Sequence, residues 1–175
     1  LASGIRSVGY ELCPSTWFDT LCIKADQAAI RAASEPLGIN VRYHENGTCV
    51  GVSIDESTTV ADLQILLNIF ASVKGASSPS ASELVQTSSS GIPASLARTS
   101  DYLTHPVFNT HHTEHEMLRY LKHLENKDLS LAHSMIALGS CTMKLNATAQ
   151  MIPITWPAFN RVHPFAPVSQ TQGYM

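Results

Sequence analysis

An α+β fold is the class this sequence predicts, and three observations carry the prediction. Apolar residues alternate at period two in short stretches, at 39–44 and 50–54, on either side of an Asn46-Gly47 pair. Apolar stripes at helical spacing follow candidate caps at Asp26, Thr59 and Thr113. The two patterns interleave over residues 17–71, then give way to a Ser-, Ala- and Pro-rich stretch and a proline-broken tail. The expectation is a small β-α-β-β-α domain over 1–71, a linker over 72–100, and a helical and irregular arm over 101–175.

Residues 1 to 15 carry Gly4, Gly9 and Pro14 with little periodicity, and read as an incoming loop or a tail. Trp17 to Lys24 is rich in aromatic and β-branched residues, a strand signature. Asp26 is placed to cap a helix through Ala28, Ala29, Ile30, Ala32 and Ala33, which Pro36 and Gly38 would end. Ile39 to His44 alternates, and Asn46-Gly47 tolerates the positive φ of a hairpin turn. The return strand puts Val50, Val52 and Ile54 on one face. Thr59 and Asp62 resemble a capping box with Asp in place of Glu or Gln, ahead of the stripe Val60, Leu63, Leu66, Leu67 and Phe70.

From Ser72 to about Ser100 large apolar residues are sparse, which reads as a connection with a short helix near Ala81 to Val85. Thr113 with Glu116 makes a second capping box, predicting a helix over 113–126 with the stripe Met117, Leu118, Leu121 and Leu124. A short helix is expected after Asn146. Pro153, Pro157, Pro164 and Pro167 then impose an extended course anchored by Trp156, Phe159 and Phe165. That tail has no core of its own and is suited to lie on other protein.

Composition bounds the function. An apolar fraction of 44% is near the globular average. Net charge is -3 and the basic residues are scattered, so no nucleic-acid footprint is present. No apolar run is long enough to span a bilayer, and no signal or transit peptide opens the chain. Leu1 rather than Met comes first, pointing to a processed chain or a piece of a longer one. Cys13, Cys22, Cys49 and Cys141 show no CxxC pairing, which fits a reducing compartment. Cys22 and Cys49 fall in predicted strands and read as small buried apolar residues.

Chemistry concentrates at 134–146, SMIALGSCTMKLN. Ser140 and Thr142 offer hydroxyls, Lys144 a charge and Gly139 a close backbone approach, between apolar anchors. Two readings stand: a buried turn with a capping serine, or a loop pointing donors into a cleft. Cys141 has no evident His-Asn partner for a nucleophile. Lys144 as a Schiff-base lysine lacks a phosphate-cradling glycine loop beside it. His105, His111, His112, His115 and His123 lack a carboxylate or thiol in a known metal-site order, so they read as solvated or capping residues and no metal site is expected. His163 reads as packed in the arm.

The stretches WFDTLC (17–22), DYLTHPVFN (101–109), RYLKHLENKD (119–128), SMIALGSCTMKLN (134–146), IPITW (152–156) and HPFAPVSQTQGY (163–174), in this order, resemble the glycine dehydrogenase (decarboxylating) family, the P-protein of the glycine cleavage system. Ala137 departs from the family's usual Pro, leaving the start of the loop less rigid.

The resemblance implies a longer enzyme of two related halves of the pyridoxal 5'-phosphate fold-type I (aspartate aminotransferase-like) kind, of which this chain is an internal fragment, inactive alone. Residues 1–71 would close the first half and 91–175 would open the catalytic half as its N-terminal arm. The family's Schiff-base lysine and main cofactor contacts lie further on, so no catalytic residue is expected here and Lys144 is not that lysine. Ser140, Cys141, Thr142, Lys144 and Asn146 would line the substrate and cofactor cleft, with Cys141 open to oxidation or disulfide exchange. The implied reaction is decarboxylation of glycine with transfer of the aminomethyl group to the lipoyl arm of the H-protein. The implied partners are that H-protein, the remainder of the P-protein chain and a second copy of the full enzyme, with no nucleic acid and no membrane. The implied location is the mitochondrial matrix in a eukaryote or the cytoplasm in a bacterium. Two other readings of the residues remain open: a ferredoxin-like ligand-binding or regulatory module lacking one strand over 17–71, and an arm that serves only to dimerise.

Overall fold

Alternation along the strands decides which face of the sheet is inside. In a computed structural model describing residues 1–45, 47–89, 91–128 and 147–174, four antiparallel strands form one sheet: β1 Glu11–Leu12, β2 Thr20–Lys24, β3 Arg42–Tyr43 and β4 Cys49–Ser53, in the order β1-β2-β4-β3. Leu12, Leu21, Ile23, Val50 and Val52 point to one face and are buried. Helices α1 Ala2–Ser7, α2 Gln27–Ser34 and α3 Val60–Lys74 bring Ile5, Ile30, Leu66, Leu67 and Phe70 onto that face to form the core. The chain divides into two compact units, Leu1–Ala97 and Arg98–Met175, and this core belongs to the first.

The predicted β-α-β-β-α order is present, and the sheet and its helices make the fold α+β. Asp26 accepts from the backbone N–H groups of Ala28 and Ala29 at the start of α2. Gly38, at φ 72°, turns the chain after Leu37. Gly47 also takes a positive φ of 72° between β3 and β4. Thr59 and Asp62 form the reciprocal box at the start of α3, so the shorter Asp carboxylate does reach back to the Thr59 N–H, at 2.8 Å.

Three expectations are corrected. Residues 1–15 are not a loop: they form α1 and β1, with Ile5 fully buried and Leu12 nearly so. The first expected strand begins at Thr20, where pairing with Ser53 begins; Phe18 is 79% exposed and Trp17 lies under the Arg6 guanidinium at 4.5 Å. The strand expected at 39–44 contracts to Arg42–Tyr43, in register with Gly51 and Val50 of β4, with the His44 N–H still reaching the Cys49 carbonyl at 3.2 Å. β1 also supplies, from the N-terminal side, the outer strand that a ferredoxin-like order over 17–71 lacks.

Helix α3 runs past the compositional shift at Ser72 as far as Lys74, and α4 Ala81–Thr87 buries Ala81 against the first unit's core. In the second unit α5 Glu114–Glu125 opens on the expected Thr113–Glu116 box, α6 spans Thr148–Met151 and α7 spans Pro157–Asn160. None of the described residues from Arg98 onward is buried. Tyr102, Phe108, Leu118, Leu121, Trp156, Phe159 and Phe165 all stand exposed.

Candidate functional site

The expected cleft-lining residues Ser140, Cys141, Thr142, Lys144 and Asn146 lie outside the described residues. Their neighbours in sequence are described. On one side α5 ends at Asn126, its last turn carrying Lys122, paired with Glu125 at 3.0 Å, and His123. On the other side the Ala147 N–H donates to Gln150 Oε1 to start α6. The Glu116 carboxyl in the α5 cap is held below the usual carboxylate range, first by the hydrogen bond from the Thr113 N–H and then by the Thr113 hydroxyl.

Three of the described histidines make local structure. His105 Nδ1 accepts from the Val107 N–H, His163 Nδ1 accepts from the Phe165 N–H, and His111 stacks on Tyr120 with ring centroids 4.2 Å apart. A hollow of about 590 Å³ is lined by Arg98, Ser100, Asp101, Tyr102, Thr104 and Asn109. Arg98 reaches Ser100 Oγ at 3.3 Å and lies over the Tyr102 ring at 5.6 Å. Asn109 donates to the carbonyls of Leu103 and His105. Its amide thereby holds the turn in which Leu103 adopts a positive φ of 51°.

In the first unit the chemistry lies on the sheet face away from the core. Strand register places Cys13 just beyond β1 opposite Cys22, its N–H donating to the Cys22 carbonyl at 2.7 Å, while Cys49 opposes Lys24. The three sulfurs all lie within 4.8 Å of one another, with Cys13 Sγ and Cys49 Sγ at 3.1 Å. Cys49 is buried as expected and Cys22 half-buried, but both lie on the outer face with Glu11, Thr20, Lys24 and Ser53 and not among the residues of the core cluster. Desolvation pushes the Cys13 thiol up to about 12, helped by its contacts with the Cys49 and Cys22 thiols. Lys24 pairs with Glu11 at 2.8 Å, and that carboxylate holds the ammonium pKa up. No sequence spacing announced this cluster; only the pairing of three strands assembles it.

The described residues do not by themselves fit pyridoxal phosphate. Ser34 is the one polar or charged residue among them that is fully buried, and it faces the Tyr43 hydroxyl at 3.2 Å. Lys24 and Lys122 stand in exposed ion pairs, and Lys74 lies over the Tyr10 ring at 4.7 Å. None offers a desolvated amine beside a phosphate cradle.

No family model matches the chain. Individual proteins do. Glycine dehydrogenase (decarboxylating) from Vibrio campbellii is 49% identical over 174 residues, and the protein of the same name from Aliivibrio salmonicida is 48% identical over 174 residues. These alignments take in 99% of this chain and 18% of each relative, so the chain spans about a fifth of the length of the proteins it matches. The likeness extends over both compact units, so nearly all of this chain is similar to one stretch of glycine dehydrogenase (decarboxylating).

Proposed function

We propose that this chain is an internal part of a longer glycine-decarboxylating enzyme, bridging its two halves. The identity of 49% over 174 residues carries the reading. In it, residues 1–71 close a first half of the fold-type I kind, 72–100 link, and 101–175 open the catalytic half. The longer enzyme's cofactor, pyridoxal 5'-phosphate, supplies an electron sink for the loss of carbon dioxide from glycine. The aminomethyl group left behind goes to the lipoyl arm of an H-protein. A homodimer of the full enzyme is the assembly proposed.

This chain's own contribution is positional. Ser140 and Thr142 donate hydrogen bonds, and Lys144 places a positive charge, toward an anionic group in the cleft, with Asn146 as a further donor. The exposed aromatic residues of the arm, Trp156, Phe159 and Phe165, cover neighbouring protein and keep water from the site. In the full-length enzyme, Ser140→Ala combined with Thr142→Ala is expected to reduce exchange of the glycine carboxyl with labelled bicarbonate by about a hundredfold, as loss of two positioned donors does. An exchange rate equal to wild type would leave the arm a dimerisation element only.

A further inference from the structure

We propose that Cys13, Cys22 and Cys49 form a binding site for one soft d10 metal ion, held by three thiolates on the outer face of the sheet. This site is separate from the loop at 134–146 and does not depend on the function proposed for it.

The sheet itself builds the site. β1, β2 and β4 are adjacent, and each directs one cysteine to the same face on one band of the register. Cys13 continues β1 opposite Cys22; Cys49 stands diagonally from Cys22, since it opposes Lys24 while Cys22 opposes Gly51. Glycine at position 51 leaves the β4 side of the band without a side chain directly opposite Cys22. The amide of Gln27 donates to the carbonyls of His44 at 2.6 Å and Cys49 at 2.8 Å, which fixes the end of β4 that carries Cys49.

The sulfur spacing suits a shared ion better than a disulfide. Sulfurs bound at about 2.3 Å to one ion lie about 4 Å apart when three surround it, and at most about 4.6 Å apart. These three, all within 4.8 Å, need only small side-chain rotations to meet that. A disulfide could join only two of the three: Cys13 with Cys49, whose sulfurs lie 3.1 Å apart, or Cys13 with Cys22, its cross-strand neighbour, while Cys22 and Cys49 are diagonal neighbours at about 7–8 Å, too far for the bond. Either bond would leave a third thiol unused. A metal ion uses all three.

The donor set selects the ion. The group contains sulfur and no carboxylate, and among the described residues it is the only set of three candidate ligands. Thiolates favour soft ions over magnesium or calcium. Binding replaces three S–H bonds with three metal–sulfur bonds and releases three protons. Three thiolates leave the complex anionic, and the Lys24 ammonium is the adjacent cation, close enough that the charges of Cys13 and Cys49 act on it.

The test uses the full chain with Cys141→Ser, which leaves these three as its only thiols. The reduced protein is titrated with cadmium(II) while ultraviolet thiolate-to-metal absorption and proton release are recorded. The expected result is saturation at one ion per chain with three protons released. Cys13→Ser, Cys22→Ser and Cys49→Ala are each expected to weaken binding by about a hundredfold. Cys13 is exposed, so its variant keeps the fold, as circular dichroism would verify, and loss of binding there cannot come from unfolding. Saturation at half an ion per chain, undiminished binding by Cys13→Ser, or no saturable absorption from fully reduced protein would each overturn the proposal.

Discussion

Cys13 shows how exposure and reactivity part company. The residue is exposed, yet its sulfur rests 3.1 Å from Cys49 Sγ, and its pKa is pushed up to about 12. The thiolate is the nucleophile, so at pH 8 Cys13 is expected to react with iodoacetamide about tenfold or more slowly than an ordinary exposed cysteine. Cys49→Ala removes one of the secondary causes and should raise the rate part of the way, the desolvation remaining; peptide mass spectrometry after timed quenching reads both. Tyr10 illustrates the opposite case, a polar group whose partner is secure. Its hydroxyl donates to the Phe70 carbonyl while its ring meets the Phe70 ring edge-on at 5.2 Å, so one side chain joins the turn after α1 to the end of α3. Burial raises its pKa by disfavouring the phenolate.

At the scale of the element, caps do much of the specifying. Asp62 accepts from both the hydroxyl and the N–H of Thr59, and the hydroxyl first, then the N–H, hold its carboxyl below the ordinary range. A depressed folded-state pKa contributes stability that is full above the ordinary value of about 4 and is lost as pH falls through the lowered one. Wild type should therefore melt above Asp62→Asn at pH 7, and the gap should close as thermal scans descend toward pH 3. A gap that stays constant with pH would show that the carboxylate charge contributes nothing to the cap. The Asp26 cap and the Thr59 and Thr113 boxes were legible in the sequence because their signals span three or four residues, and the positive φ of Gly47 because glycine favours it. α1 and β1 were not legible. β1 is two residues long, and what holds it is pairing with Lys24 and Ile23 in β2, which no local pattern encodes. The thiol cluster was hidden for the same reason, since positions 13, 22 and 49 are brought together only by strand register. The loop at 134–146 was legible as family wording, but its residues fall outside those described.

For the whole molecule, the two units differ in what holds them. Leu1–Ala97 has a contiguous core, whereas the described residues of Arg98–Met175 bury nothing and are tied by short-range contacts. A contact that reaches further along the chain is the Tyr174 hydroxyl, which donates to the carbonyl of Phe159. A chain ending at Ala97 is expected to unfold in one cooperative thermal transition within a few degrees of the longer chain's, while residues 98–175 alone give no transition and bind a hydrophobic dye. A cooperative melt of the second piece would show a core that the exposed stripes of α5 and α7 do not suggest.

The early placement of the sheet has one more consequence. Among the described residues all four strands lie before residue 54, and the outer position beside β2 is filled by residues 11–12. On a ribosome, where the chain emerges from its N-terminus, the sheet and the helices that cover it can therefore be complete while the apolar arm is still being made. The core of the first unit therefore waits on no residue of the second.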